Sequence, residues 1–198
     1  VSTPLVDFTT LAARLRNCET EVRLNRRLAP GVYHGVVALT ADAGGKLRWG
    51  GYGRVQEWLV WMRRLPRERM LDALIRQRCV PLDRLRMLAG LLARFHRDAP
   101  RPPTAGYCAR LREAISQDAA LLAGFAEPDA AAHAAAISRR LLQCLAEQSR
   151  LFESRLDNGH VVEGHGDLRP EHLCLDGQPL VIDCLEFNSS LRTLDVCE

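Results

Sequence analysis

The N-terminal part of the chain passes from a helical pattern of apolar residues to an alternating one. Apolar residues recur every three or four positions across residues 7–28, after polar residues that can cap a helix. Near-alternation of Val and polar residues then predicts strands at 33–40 and 55–62, with a shorter strand starting at Lys46. The pattern predicts one helix followed by about three antiparallel strands.

The middle of the chain is predicted to be helical. Residues 67–97 contain two helical segments divided near Val80-Pro81, and residues 107–156 are rich in Ala and Leu with an interruption at Glu127-Pro128. Three short strands follow a turn, at residues 161–162, 173–175 and 180–182.

Composition and charge exclude several classes of protein. The chain has 198 residues, 47% of them hydrophobic and 26% charged, which is typical of a soluble globular protein. It contains no window near the roughly 18 apolar residues of a membrane helix and no signal peptide, so we expect a cytoplasmic protein that does not bind membranes. A net charge of +3 spread along the chain gives no indication of nucleic-acid binding. The seven cysteines form no CxxC pair, so we expect free thiols.

Residues 160–188 carry the candidate chemistry. Asp167 lies in a charged, turn-rich loop, and Asp183 follows a short apolar strand. Two carboxylates placed in this way suit phosphoryl transfer, because one can deprotonate the attacking hydroxyl while the other holds Mg²⁺ on the nucleotide phosphates.

This segment resembles a known family. His165-Gly-Asp-Leu-Arg-Pro-Glu-His172, followed by Val181-Ile-Asp-Cys-Leu-Glu186, is similar to the HGDLxPxN and hIDxE motifs of aminoglycoside-phosphotransferase and choline-type kinases. The segment Gly90–His96 also resembles a helix that these kinases carry. The resemblance covers nearly the whole chain and is most specific in the catalytic segment. It extends to an aminoglycoside-phosphotransferase-like bacterial branch, whose members can be fused to a C-terminal P-loop domain. A fused or partner P-loop domain is therefore an expectation.

The resemblance implies a role for each site residue. Asp167 would be the catalytic base and Asp183 the principal Mg²⁺ ligand. His172 occupies the position of a metal-binding Asn, and imidazole suits a hard cation less well than an amide oxygen does. On the ATP side, Glu21 would pair with the nucleotide-binding lysine, with Glu19 as the alternative.

The resemblance places the strand and hinge at residues 57–63 beside the adenine, which makes Trp61 and Met62 nucleotide-binding residues. The glycine-rich loop and lysine strand of the family precede the helix, and the family continues into further helices after the catalytic segment, so we expect a chain that is truncated at both ends. Gly50–Gly53 is interpreted as a hairpin turn, and Lys46 is a poor substitute for the missing lysine.

The predicted fold class is α+β, a bilobal protein-kinase-like fold. Residues 1–62 would form an incomplete N-terminal lobe of one helix and antiparallel strands. Residues 63–198 would form a mostly helical C-terminal lobe with the catalytic loop at 163–188.

The implied function is ATP-dependent phosphorylation of a hydroxyl on a small molecule, impaired if the chain is truncated. Six acidic residues in 107–156 are matched by six arginines, which does not favour a polycationic aminoglycoside as acceptor. Two alternatives stay open. One is a metal-dependent hydrolase using His165, Asp167, His172 and Asp183; the other is a pseudokinase-like module that binds without catalysis.

Overall fold

The computed structural model describes residues 6–124 and 128–197. The chain folds into a mixture of α-helices and small antiparallel sheets, as expected for the predicted α+β class. The helices are α1 (Leu11–Asn25), α2 (Leu71–Arg76), α3 (Leu82–Asp98), α4 (Tyr107–Ala123), α5 (Pro128–Glu147) and α6 (Ser149–Asp157). The strands are β1 (Tyr33–Ala41), β2 (Leu47–Trp49), β3 (Arg54–Met62), β4 (Val161–Glu163), β5 (Leu173–Cys174), β6 (Leu180–Val181) and β7 (Thr193–Asp195).

The first helix and the three-stranded sheet agree with the sequence pattern. Thr10 caps α1, since its hydroxyl accepts a hydrogen bond of 3.1 Å from the Ala13 amide. Strand β1 lies at the centre of the sheet, between β2 and β3, and both pairings are antiparallel. The predicted break at Val80-Pro81 separates α2 from α3, whereas the predicted interruption at Glu127 lies outside the described residues.

The interpretation of Gly50–Gly53 as a hairpin turn is wrong. The segment connects β2 to β3, but these strands lie on opposite sides of β1 and do not pair with each other. The chain therefore crosses the end of β1 close to Ala41. Gly53 has φ +149°, and a side chain there would overlap the carbonyl oxygen of Ala41, so the close crossing requires glycine.

Strand β6 is packed between two apolar clusters. Val181 is fully buried in one cluster with residues from α2, α3 and β5. Its neighbours Leu180 and Ile182 pack against a second cluster that includes Val22 and Val32. Successive residues of a strand face opposite ways, so both faces of β6 are covered and its end is held in place.

The chain forms two compact units. One contains the residues up to Pro100 together with Glu163–Leu194, and the other contains Arg101–Val162 with the residues from Asp195 onward. This division differs from the predicted boundary between two lobes at residue 62. The lobe boundary stays a prediction. Among the described residues, none of the helices combines the length and the apolar character that crossing a membrane requires.

The close crossing at Gly53 predicts the effect of a substitution. Gly53→Ala combines left-handed strain with backbone overlap, so we expect the free energy of unfolding to fall by about 2 kcal/mol or more. Urea denaturation followed by circular dichroism measures this change. Gly44→Ala is the matched control, because a Cβ there meets only the Asp42 side chain at 3.5 Å. Equal stability of the two variants would contradict the proposed role of Gly53 in the crossing.

Candidate active site

The loop that carries Asp167 is shaped by Gly166. Gly166 has φ +87°, and an added Cβ would lie 3.0 Å from both the Leu191 carbonyl oxygen and the Arg192 Cγ atom. Neither the backbone conformation nor the space admits a side chain. The loop then closes with a 3₁₀ turn at Pro170–His172, which brings His172 back towards Asp167.

His165 holds this loop in place through contacts of both ring nitrogens. Its Nε2 atom lies 3.0 Å from the Ile182 carbonyl oxygen, and its Nδ1 atom accepts a 3.3 Å hydrogen bond from the Asp167 amide. Burial lowers the pKa of His165 to about 4, so the ring is neutral near pH 7 with its proton on Nε2. The imidazole thus joins the Asp167 loop to the end of β6, as a structural rather than a reactive group.

Asp183 adopts a strained backbone conformation just beyond β6, from which Ile182 separates it. Its φ is +65°, in the left-handed region that few non-glycine residues occupy. The Asp183 amide donates to the Tyr33 hydroxyl at 3.3 Å, and the next amide, that of Cys184, donates to Asn25 Oδ1 at 2.9 Å. Asn25 is buried in α1 and also donates to the Glu21 carbonyl oxygen. The first helix and first strand therefore hold the corner that aims Asp183.

Asp167, His172 and Asp183 converge on one point. One potential ligand atom from each residue lies within 4.8 Å of the other two. His172 is 6% exposed; its Nδ1 atom is 2.8 Å from the Asp167 carbonyl oxygen, and its Nε2 atom is 3.0 Å from Asp183 Oδ2. The arrangement offers two carboxylates and one imidazole to a divalent cation.

Arg169 supplies positive charge beside this cluster. Its Nε atom lies 3.1 Å from Asp167 Oδ1, and Nη1 lies 3.3 Å from Glu171 Oε1. The guanidinium is more than half exposed, and Nη2 is 3.4 Å from His172 Nε2. Arg169 therefore offsets the charge of Asp167 while staying free to move into solvent.

Glu21 adds a further carboxylate next to Asp183. Burial, and then the nearby charges of Glu186 and Asp183, raise the pKa of Glu21 to about 7. Glu186 accepts a 2.9 Å hydrogen bond from Asn17. Within the described part of the chain, the Glu21 side chain has no ion-pair partner. Glu21, Glu186 and Asp183 together form an acidic region that would attract a cation.

The other predicted residues lie outside this cluster. Trp61 and Met62 end β3. Trp61 is 55% exposed, and its ring centroid lies 5.1 Å from that of His34, while Met62 packs on the second apolar cluster. Glu19 is an exposed residue of α1, and Lys46 is exposed in the turn before β2.

Three supporting residues were missed by sequence reasoning: Asn25, Tyr33 and Arg192. The buried Arg192 donates to the Leu185 carbonyl oxygen at 2.7 Å, which secures the chain after Asp183. A polar Asn25 near the end of an apolar helical stripe is a signal that could have been used. Nothing near Tyr33 or Arg192 in sequence indicates their long-range partners.

Comparisons with known proteins identify the family of the chain. Residues 7–196 match the APH family, described as the phosphotransferase enzyme family. Uncharacterized proteins of Mycobacterium bovis and Mycobacterium tuberculosis are each 32% identical over 203 residues, which cover 98% of this chain. The chain spans only 38% of the length of these relatives, and no solved structure matches it. With nearly its whole length matched by the family model, the chain belongs to the APH phosphotransferase family of kinase-like proteins.

Proposed function

We propose that the chain forms the catalytic part of an ATP-dependent phosphotransferase that acts on a hydroxyl group of a small molecule. The observation that carries the proposal is the convergence of Asp167, His172 and Asp183, whose ligand atoms lie within 4.8 Å of one another. Phosphoryl transfer needs a base for the attacking hydroxyl beside a cation on the phosphates. The cluster offers groups for both tasks.

The donor set fits the divalent cation that the family uses. Asp183 and His172 would hold Mg²⁺, with Asp183 as the principal ligand because carboxylate oxygen suits a hard cation. When bound, the ion supplies positive charge that offsets the negative charge of the nucleotide phosphates. In our proposal, the strained Asp183 backbone and its amide contact to Tyr33 keep the carboxylate aimed at this position.

Asp167 is the proposed base. As the acceptor oxygen forms its bond to the γ-phosphorus, the hydroxyl proton passes to the Asp167 carboxylate and the bond between phosphorus and the ADP oxygen breaks. His165 holds the Asp167 amide, and this contact keeps the carboxylate in place. Arg169 lies at the same carboxylate and would turn towards the transferred phosphoryl group, where it would donate hydrogen bonds.

The remaining predicted residues are assigned to the nucleotide. Glu21 lies near Asp183 and would pair with the nucleotide-binding lysine, since its carboxylate has no ion-pair partner among the described residues. Trp61 is exposed at the end of β3, and with Met62 it would contact the adenine. The balance of six acidic residues and six arginines in 107–156 supports an uncharged or weakly charged acceptor over a polycation.

The longer relatives support a further domain in the whole protein. Because the chain covers 38% of their length, a P-loop domain fused to the kinase-like part stays part of the proposal.

A metal-dependent phosphate-ester hydrolase is the second candidate, since the Asp, His and Asp ligands also suit a hydrolytic metal site. Cleavage of a phosphate ester without ATP would favour that candidate, whereas the proposed phosphotransferase requires ATP.

Substitution of the two aspartates separates their roles. Asp167→Asn should lower ATP-dependent phosphoryl transfer by about 100-fold or more while leaving binding of Mg²⁺–ATP nearly unchanged, because only the base is lost. Asp183→Asn should weaken the binding of Mg²⁺–ATP itself. Isothermal calorimetry measures the binding, and release of ADP in a screen of hydroxylated metabolites measures the transfer.

Glu153→Gln is the matched control for these variants, because it removes one carboxylate from an exposed position on α6. Wild-type turnover in both aspartate variants would refute the assigned roles. If neither the wild-type chain nor the longer protein that contains it transfers a phosphoryl group from ATP, the proposed function is refuted.

The raised pKa of Glu21 predicts how stability changes with pH. The folded chain keeps the Glu21 proton up to about pH 7, whereas the unfolded chain loses it near 4.5, so the folded state loses stability as pH rises between these values. Glu21→Gln removes that penalty. We expect the free energy of unfolding to rise by about 1–2 kcal/mol at about pH 8, after allowance for solvent screening, and much less at about pH 5.

Urea denaturation at the two pH values measures this effect. Glu19→Gln, at an exposed position of the same helix, is the control and should show no such pH dependence. A Glu21→Gln variant that is less stable than wild type at the higher pH would show that the carboxylate is not destabilising.

A further inference from the structure

We propose that His172 makes this site prefer a divalent transition metal, with Mn²⁺ as its representative, over Mg²⁺. The inference deepens the proposed function and rests on it only in using the same site. It concerns the chemistry of one ligand, since His172 stands where the resembled kinases carry an Asn.

The position of the imidazole proton is fixed by the loop. His172 Nδ1 lies 2.8 Å from the Asp167 carbonyl oxygen, which can only accept a hydrogen bond, so Nδ1 carries a proton. In the neutral ring, the Nε2 atom then has an available lone pair. A hydrogen bond from the far nitrogen to a backbone carbonyl is the arrangement that orients metal-binding histidines in proteins.

The spacing of the donor atoms suits a shared cation. His172 Nε2 and Asp183 Oδ2 lie 3.0 Å apart, and in a neutral ring two lone pairs would face each other across this distance. Two ligands that each lie about 2.1 Å from one ion at a right angle are themselves about 3 Å apart. The His172 side chain is more than nine-tenths buried, which holds its ring in one place, whereas the Asp183 side chain is exposed.

Arg169 is the nearest competing cation. Its Nη2 atom lies 3.4 Å from His172 Nε2, which is a long contact, and its guanidinium is 55% exposed. A bound divalent ion would repel the guanidinium, which can move towards Glu171 or solvent without leaving a buried group unpaired.

The ligand types then select the metal. Mg²⁺ prefers oxygen ligands, whereas imidazole is a good ligand for divalent transition metals. The proposed ligand pair, the Asp183 carboxylate and the His172 imidazole, lies between these preferences. Mn²⁺ accepts both kinds of ligand and can take the place of Mg²⁺ beside nucleotide phosphates, so it fits this set better than Mg²⁺ does.

Direct metal binding without nucleotide tests the inference. Electron paramagnetic resonance measures free Mn²⁺ in titrations of the whole chain, and competition with Mg²⁺ gives the ratio of the two affinities. We expect wild type to bind Mn²⁺ at least about tenfold more tightly than Mg²⁺. His172→Asn should reduce that ratio by about tenfold or more, mainly through weaker Mn²⁺ binding.

His160→Asn is the matched control, because it makes the same change at an exposed position, and it should keep the wild-type ratio. An unchanged ratio in His172→Asn, or the absence of Mn²⁺ binding to wild type, would overturn the inference. If His172→Asn does not fold, NMR of wild type gives the answer: Mn²⁺ should broaden the His172 ring signals at lower concentration than those of His160, and equal broadening would overturn the inference.

Turnover separates this inference from the proposed function. Preferential Mn²⁺ binding through His172 without ATP-dependent transfer in either metal would support the metal assignment and refute the phosphotransferase. ATP-dependent phosphoryl transfer that depends on Asp167 would support the phosphotransferase. If the ratio of Mn²⁺ to Mg²⁺ affinity did not then depend on His172, the metal preference would be refuted.

Discussion

The double burial of strand β6 is the constraint on which the site depends. Val181 faces one apolar cluster while Leu180 and Ile182 face the other, so a shift of one residue would place each side chain in the wrong cluster. The point at which Asp183 leaves the strand is therefore fixed by packing. Beyond the strand, successive amides find partners on separate elements, first Tyr33 and then Asn25. Apolar packing thus sets the position of the carboxylate, and long-range hydrogen bonds set its direction.

The fixed position of the Asp183 carboxylate is accompanied by unfavourable local interactions. Asp183 occupies a left-handed backbone conformation, and Glu21 is held where burial and neighbouring carboxylates raise its pKa to about 7. Each of these features costs free energy in the folded chain, and such costs are concentrated where proteins bind ligands. A cation at the cluster would offset the electrostatic part of the cost, and the same charge would attract nucleotide phosphates.

The sequence predicted the elements and the motif residues, but not how distant segments meet. Periodicity located α1, and the polar segment before it indicated a cap, which the structure assigns to Thr10, because both depend on neighbouring residues. It could not reveal that β2 and β3 lie on opposite sides of β1, so the crossing at Gly53 was mistaken for a hairpin. The roles of Asn25 and Arg192 were missed for the same reason, since each contacts residues that only the folded chain brings close. The assigned roles of the site residues stay predictions.

His172 shows how one residue can change a site without changing its scaffold. Its amide donates to the Arg169 carbonyl oxygen at 2.9 Å, and its own carbonyl accepts from the Ile182 amide at 3.0 Å. Both bonds belong to the backbone, so they would persist with another side chain, and the position of residue 172 relative to Asp183 does not depend on the imidazole. The side chain alone then determines whether nitrogen or oxygen faces the carboxylate. Because metals distinguish these donors, members of one family can share a fold and a base while differing in the ion they use.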